Sequence, residues 1–131
     1  MVIGSGAHRE ILPGRVTVPP ERYGKYPILR SDMRGVGLTH VSIPQEHQDE
    51  AVRLAAAACD ALGCDDHVRI DMREDAEGNL RIMEVNGIPG LKPVKSWSPQ
   101  IYALYHPVAD PYRALIGTIV DCAMERAYGK R

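Results

Sequence analysis

The chain has 131 residues, Lys+Arg 16 against Asp+Glu 17, a formal net charge of -1 and 44% hydrophobic residues. That balance describes one soluble domain spanning 1–131 with a modest core, and it excludes a disordered chain. It also lacks the charge excess that wraps nucleic acid or holds to an anionic membrane, and no run approaches the roughly 18 to 20 apolar residues of a membrane span. Met1-Val2-Ile3-Gly4 has neither the basic start nor the apolar middle of a secretion signal, so the expected compartment is the cytoplasm. Cys59, Cys64 and Cys122 form no CxxC, and an odd count argues against a closed set of disulfides, which leaves reduced, partly buried thiols. With no Phe, the core has to be built from Leu, Ile, Val, Ala and Met.

From Met1 to about Thr39, short apolar runs (Val2-Ile3, Ile11-Leu12, Val16-Thr17-Val18, Tyr26-Pro27-Ile28-Leu29) are broken by Gly and Pro, a pattern of edge strands and loops. Arg30 to Gly37 holds two glycines and two arginines without an apolar period, which predicts a mobile loop facing a ligand; Arg30 and Arg34 are suited to closing on a phosphate or simply to solubility. The spacing of Val52, Ala55, Ala56, Cys59 and Leu62 predicts a helix over Pro44–Leu62, with Glu46, Asp49 and Glu50 at its positive end and Gly63 as its stop. Val68–Arg73 and Leu80–Asn86 both alternate apolar with polar around Asp75-Ala76-Glu77-Gly78-Asn79, a β-hairpin signal. A sharp loop at Gly87-Ile88-Pro89-Gly90 precedes a short helix over Ser98–Tyr105. Asp110-Pro111 then caps a last helix to about Tyr128, which Gly129 ends.

The hairpin carries the informative residues. Arg69 and Asp71 on one strand, and Glu84 and Asn86 on the next, are i, i+2 pairs whose side chains share a face. A two-residue turn at Glu77-Gly78 would set Asp71 opposite Glu84 and Arg69 opposite Asn86, with Val68, Ile70, Met72, Met83 and Val85 on the core side. Opposed side chains have Cβ atoms about 4.5 to 5.5 Å apart, close enough for the two carboxylates to repel by a few kcal/mol at an effective dielectric near 20. A divalent cation between them reverses the sign. Magnesium takes oxygen ligands, accepts one or two protein carboxylates and leaves positions for phosphates, which suits Asp71, Glu84 and the amide oxygen of Asn86. Arg69 beside them would neutralise a phosphate. The plainer alternative is a wet hairpin face on which Arg69 salt-bridges Asp71 or Glu84 and does nothing more.

At these residues the sequence resembles the ATP-grasp ligases, and within them the C-terminal part of the D-alanine–D-alanine ligase group. The matching text is Ile43-Pro44, Ala51-Val52-Arg53-Leu54-Ala55, Ala61-Leu62-Gly63-Cys64, Arg69-Ile70-Asp71 and Glu84-Val85-Asn86-Gly87-Ile88-Pro89-Gly90-Leu91, covering about Leu38 to Leu91 firmly. The resemblance implies an α+β fold, a mainly antiparallel sheet with two to three helices packed on one face. It implies an ATP-dependent carboxylate–amine ligase acting through an acylphosphate, with ATP and two magnesium ions, or manganese, as cofactors. Asp71, Glu84 and Asn86 would be metal ligands, Arg69 and Glu84 nucleotide contacts, and Arg69 and Gly90 catalytic, Arg69 at the transferred phosphoryl and the Gly90 backbone at the acceptor.

Two departures from the family's text matter. Leu91-Lys92-Pro93-Val94-Lys95-Ser96-Trp97 stands where Met-Thr and then an acceptor-binding Ser are usual; Lys95 takes that serine's place with Ser96 next, so Lys92, Lys95 and Ser96 are candidate substrate contacts for a different anionic group. The family's preceding domain and its glycine-rich phosphate loop have no counterpart here, and Gly4-Ser5-Gly6 does not replace that loop. The expected partners are thus small carboxylate and amine substrates and a missing N-terminal half, without nucleic acid or membrane. The alternative is a non-catalytic module that binds a protein partner or forms a homodimer through an uncovered face. His8, His40, His47, His67 and His106 show no zinc spacing and read for the most part as surface residues; Trp97, Tyr102 and Tyr105 either line an acceptor pocket or pack.

Overall fold

The computed structural model describes residues 1–26, 28–33 and 37–129. Among them the chain forms strands β1 (Val2–Ile3), β2 (Glu10–Ile11), β3 (Arg15–Thr17), β4 (His40–Ser42), β5 (His67–Glu74) and β6 (Leu80–Asn86), and helices α1 (Gln48–Leu62), α2 (Trp97–Tyr105) and α3 (Pro111–Tyr128). The sheet β2-β1-β5-β6 is antiparallel at every pairing, and β3 and β4 form a separate antiparallel pair. The α+β class and the antiparallel sheet are those expected. No helix of the described residues is long and apolar enough to cross a membrane.

β1 is an internal strand and not an edge: it pairs with β2 through Val2 and Ile11 and with β5 through Val2 and Val68. Adjacent apolar residues make this workable, because successive side chains leave a strand on opposite faces. Val2 joins Ala55, Cys59 and Val68 under α1, whereas Met1 and Ile3 join Leu12, Ile101, Tyr102 and Leu115 under α2 and α3. The helices are therefore shared between the two faces of the sheet. Full burial of a side chain such as Leu115, which is 0% exposed, contributes about 1.5 to 3 kcal/mol.

α1 starts at Gln48 instead of Pro44, because His47 takes a left-handed conformation (φ 62°) that helical residues do not adopt. Its stripe is only partly used: Ala55 and Cys59 are buried, but Val52 and Leu62 are exposed. Glu50 leaves the helix dipole for the hairpin, accepting from the Leu80 amide at 3.2 Å while its other oxygen meets His47 Nδ1 at 3.0 Å. α3 follows its caps, with the Asp110 carboxylate accepting from the Arg113 amide at 2.9 Å and Pro111 in the first turn.

The Tyr26–Leu29 run makes no strand among its described residues. The Arg30–Gly37 segment opens with a 3₁₀ turn at Ser31–Met33 that buries Met33, and Arg30 pairs with Asp32 at 3.0 Å. The expected phosphate contact Arg34 lies outside the described residues.

Two features give tests. Gly14 lies so close to the buried Ile101 that a Cβ built there would stand 2.5 Å from the Ile101 side chain. Gly14→Ala should therefore destabilise by roughly 1 to 3 kcal/mol, read as a lower urea midpoint. His67 is buried with Nε2 3.3 Å from Ser98 Oγ, and burial pushes its imidazole down from 6.5 to about 4. The unfolded chain binds a proton across that window and the folded chain does not, so stability is complete above pH 6.5 and is lost as the pH falls toward 4. Urea titrations over that range should show a loss of up to about 3 kcal/mol, and His67→Gln should flatten it.

Candidate functional site

The site is built on the hairpin, and its geometry depends on a bulge. Near the turn, Met72 pairs with Ile82, Arg73 with Arg81 and Glu74 with Leu80; beyond a register shift between Asp71 and Met72, Asp71 pairs with Glu84, Ile70 with Val85 and Arg69 with Asn86. Met83 is the extra residue. The expected pairing at the site is present, but not from a two-residue turn. The loop has five residues, Asp75 to Asn79, and is closed by the Asp75 carboxylate accepting from the Glu77 and Asn79 amides at 3.1 and 2.9 Å. Such a loop alone would set Asp71 against Met83, and the bulge supplies the one-residue step that brings in Glu84. The expected core position of Met83 is corrected accordingly: Met83 is 64% exposed and Ile82 stands opposite Met72 in its place.

Arg69, Asp71, Glu84 and Asn86 thus share one face of the sheet, the side that α2 covers. Arg69 grips Asp71 with a fork, Nε to Oδ1 at 2.7 Å and Nη2 to Oδ2 at 2.9 Å, and its guanidinium lies 5.0 Å above the Trp97 ring. That hydrogen bond holds the guanidinium above its usual pKa, with Asp71 and Glu84 adding by charge. The fork uses two of the five N–H donors of an arginine. Glu84 is exposed, and the Asn86 carboxamide oxygen accepts from the Ile88 amide at 3.0 Å. The three charged groups sum to one negative charge, and the oxygens of Asp71, Glu84 and Asn86 are a donor set for a hard cation. Among the described residues no third His, Cys, Asp or Glu joins the two carboxylates.

A cavity of about 600 Å³ opens beside this patch, walled by Arg69, Asp71, Glu84 and Trp97 and also by Leu12, Gly14 and Arg15. The contribution of Arg15 is invisible in the sequence, since only the folding of β3 near β5 places it there. Gly90, Lys92, Lys95, Ser96 and Asn86 are not part of the wall. Lys92 and Lys95 are exposed; Ser96 Oγ accepts from the Lys92 amide at 3.0 Å, so its hydroxyl closes their loop. Gly90 packs against that hydroxyl, where a Cβ would come within 2.9 Å of it. Of Trp97, Tyr102 and Tyr105, only Trp97 lines the cavity, which Tyr23 also walls: Tyr102 is core, stacked on His106, and Tyr105 donates to the Pro13 carbonyl at 2.7 Å. The histidines are not all at the surface, for His67 is buried, His47 bridges Glu50 and Glu74, and His106 meets Glu10 at 2.8 Å.

Comparison with known proteins identifies the family. Residues 2–105 match the family described as "D-ala D-ala ligase C-terminus". The chain is 32% identical over 132 residues to a D-alanine–D-alanine ligase of Arthrobacter sp. (strain FB24), covering 98% of this chain and 33% of the relative. It is 33% identical over the same length to that of Pseudarthrobacter chlorophenolicus, with the same coverage. Over a shorter stretch it is 46% identical across 46 residues to that of Glaesserella parasuis serovar 5, 35% of this chain and 15% of the relative. The chain spans about a third of the length of the relatives it matches end to end. The match over residues 2–105 takes in the whole hairpin and the loop after it, and this chain belongs to the D-alanine–D-alanine ligase C-terminus family.

Proposed function

We propose that this chain is the magnesium- and phosphate-binding part of an ATP-dependent carboxylate–amine ligase. The observation that carries the reading is the convergence of Arg69, Asp71, Glu84 and Asn86 on one sheet face beside a cavity of about 600 Å³. Opposed carboxylates are unfavourable in a structural hairpin, and Arg69 hydrogen-bonds only one of them, Asp71. Family membership and the ligase activity named for the relatives support the same chemistry.

In this reading Asp71, Glu84 and the amide oxygen of Asn86 hold two magnesium ions, whose contribution is to neutralise charge on the phosphoryl oxygens. Arg69 binds an oxygen of the transferring phosphoryl group through the donors that Asp71 leaves over, and the Trp97 ring beneath keeps the guanidinium in place. A substrate carboxylate attacks the terminal phosphorus of ATP, giving an acylphosphate and ADP. An amine then attacks the acyl carbon, the C–O bond to phosphate breaks, and an amide and inorganic phosphate leave. Arg69 offsets negative charge in both steps. The Gly90–Ser96 loop, with Lys92 and Lys95 exposed on it, faces the acceptor, and its lysines suit an anionic group there.

The longer relatives supply what this third of the length does not. ATP turnover is expected only when these residues are joined to the upstream two thirds of such a ligase; robust turnover by the 131 residues alone would overturn that part. In the joined enzyme, Asp71→Asn and Glu84→Gln should each weaken magnesium-dependent ATP binding at least tenfold, about 1.4 kcal/mol, measured by calorimetry with and without magnesium. Unchanged affinity would remove both residues from the site. The exposed Val120, Met124 and Tyr128 on α3 favour a further protein contact, and sedimentation should show self-association insensitive to nucleotide if a second copy covers them.

A further inference from the structure

At the C-terminus of α1, away from the hairpin patch, two cysteines meet in one turn. The Cys59 carbonyl accepts from the amides of both Gly63 and Cys64, the latter at 2.9 Å, and Gly63 takes a left-handed φ of 64°. This is the helix-ending turn in which the residue after the left-handed glycine folds back on the last turn, and its side chain meets the one five residues earlier. Here both positions are cysteine. Cys59 is wholly buried with Val2, Ala55 and Val68, and Cys64 is half-buried against that cluster. Bond lengths on either side of the 2.9 Å hydrogen bond limit the two Cα atoms to roughly 6.8 Å apart, within the span a disulfide bridges without backbone movement.

A second, independent observation lies beside them. The Arg9 side chain is only 9% exposed; Nη1 reaches Asp60 at 2.7 Å, but Nε is buried with no hydrogen-bond partner. Arg9 interacts by charge with both sulfurs. Burial pushes the Cys59 thiol up, and the Arg9 charge opposes that shift without reversing it. The Asp60 ion pair ties Arg9 to α1 and leaves Nε unused.

We propose that Cys59 and Cys64 form a reversible thiol–disulfide exchange site for low-molecular-weight disulfides of the glutathione class. Cys64 is the entry point because Cys59 is inaccessible. The Cys64 thiolate attacks one sulfur of the oxidant, whose S–S bond breaks; a mixed disulfide forms and one thiolate leaves. The Cys59 thiol gives its proton to that thiolate and attacks Cys64 Sγ, which closes Cys59–Cys64 and expels the second thiolate, protonated from water. Two electrons and two protons pass from the protein dithiol to the oxidant, which ends as two thiols.

The test is to incubate the 131-residue chain with oxidised glutathione, block remaining thiols and map tryptic peptides by mass spectrometry. Leu54–Arg69 contains both cysteines, so the expected result is loss of two hydrogens from that peptide while Cys122 remains blocked. Cys59→Ala should stop at a glutathione adduct on Cys64, and Cys64→Ser should leave Cys59 unmodified. The same incubation in urea should lose this selectivity. A folded chain in which both cysteines stay reduced, or in which Cys122 reacts first, overturns the proposal.

Discussion

Two carboxylates facing each other across an antiparallel ladder are the constraint on which the site depends. At the Asp71–Glu84 pairing the Coulomb repulsion is on the order of a few kcal/mol at protein-surface dielectric, a sizeable fraction of the stability of a small domain. The fold tolerates it by two means. Arg69 clamps Asp71 in a two-bond fork and lies on Trp97, while Glu84 remains in contact with solvent. Remove the fork and one strand face would carry two uncompensated charges beside a cavity. A cation between the two carboxylates would relieve that repulsion.

The division of the sheet between two helical layers makes that patch available. Because strand residues alternate, the apolar set Val2, Val68, Ile70 and Met72 faces α1, which leaves Arg69 and Asp71 on the side of α2. There Ile3, Ile101 and Leu115 fill the core up to the edge of the cavity. The same alternation explains why Ile82, and not Met83, is the partner of Met72: the bulge consumes one residue without changing the face on which Glu84 and Asn86 lie. The ends of α1 have separate duties. Glu50 and His47 tie its start to the hairpin, and the turn after Leu62 brings Cys64 onto Cys59 next to Arg9.

Much of this was readable in the residues. The caps of α3, the glycine stop of α1, the hairpin and the opposition of Asp71 to Glu84 all follow from local rules, since caps and alternation act over a few residues. The family text from Arg69 through Gly90 was legible for the same reason: it is contiguous. What misled was also physical. Val2-Ile3 is too short to distinguish an edge from the middle of a sheet, and a five-residue loop with a bulge places Asp71 and Glu84 opposite each other just as a two-residue turn does, so Met83, the extra residue of the bulge, was read as core. Pro44 to His47 read as helix because acidic residues there fit a positive helix end, yet the left-handed His47 stops the helix at Gln48.

The sequence by itself determined the element types, the face on which Arg69, Asp71, Glu84 and Asn86 lie, and the family. Those properties rest on period, spacing and short-range order, which do not need the rest of the chain. Only the tertiary structure decided that β1 is central, that Trp97 supports Arg69, that Arg15 and Gly14 wall the cavity, and that Ser96 is spent on its own loop while Arg9 stands by two thiols. Each of these joins residues far apart in the chain or a hydroxyl to a particular amide, and such contacts are chosen by how the two cores close on the sheet.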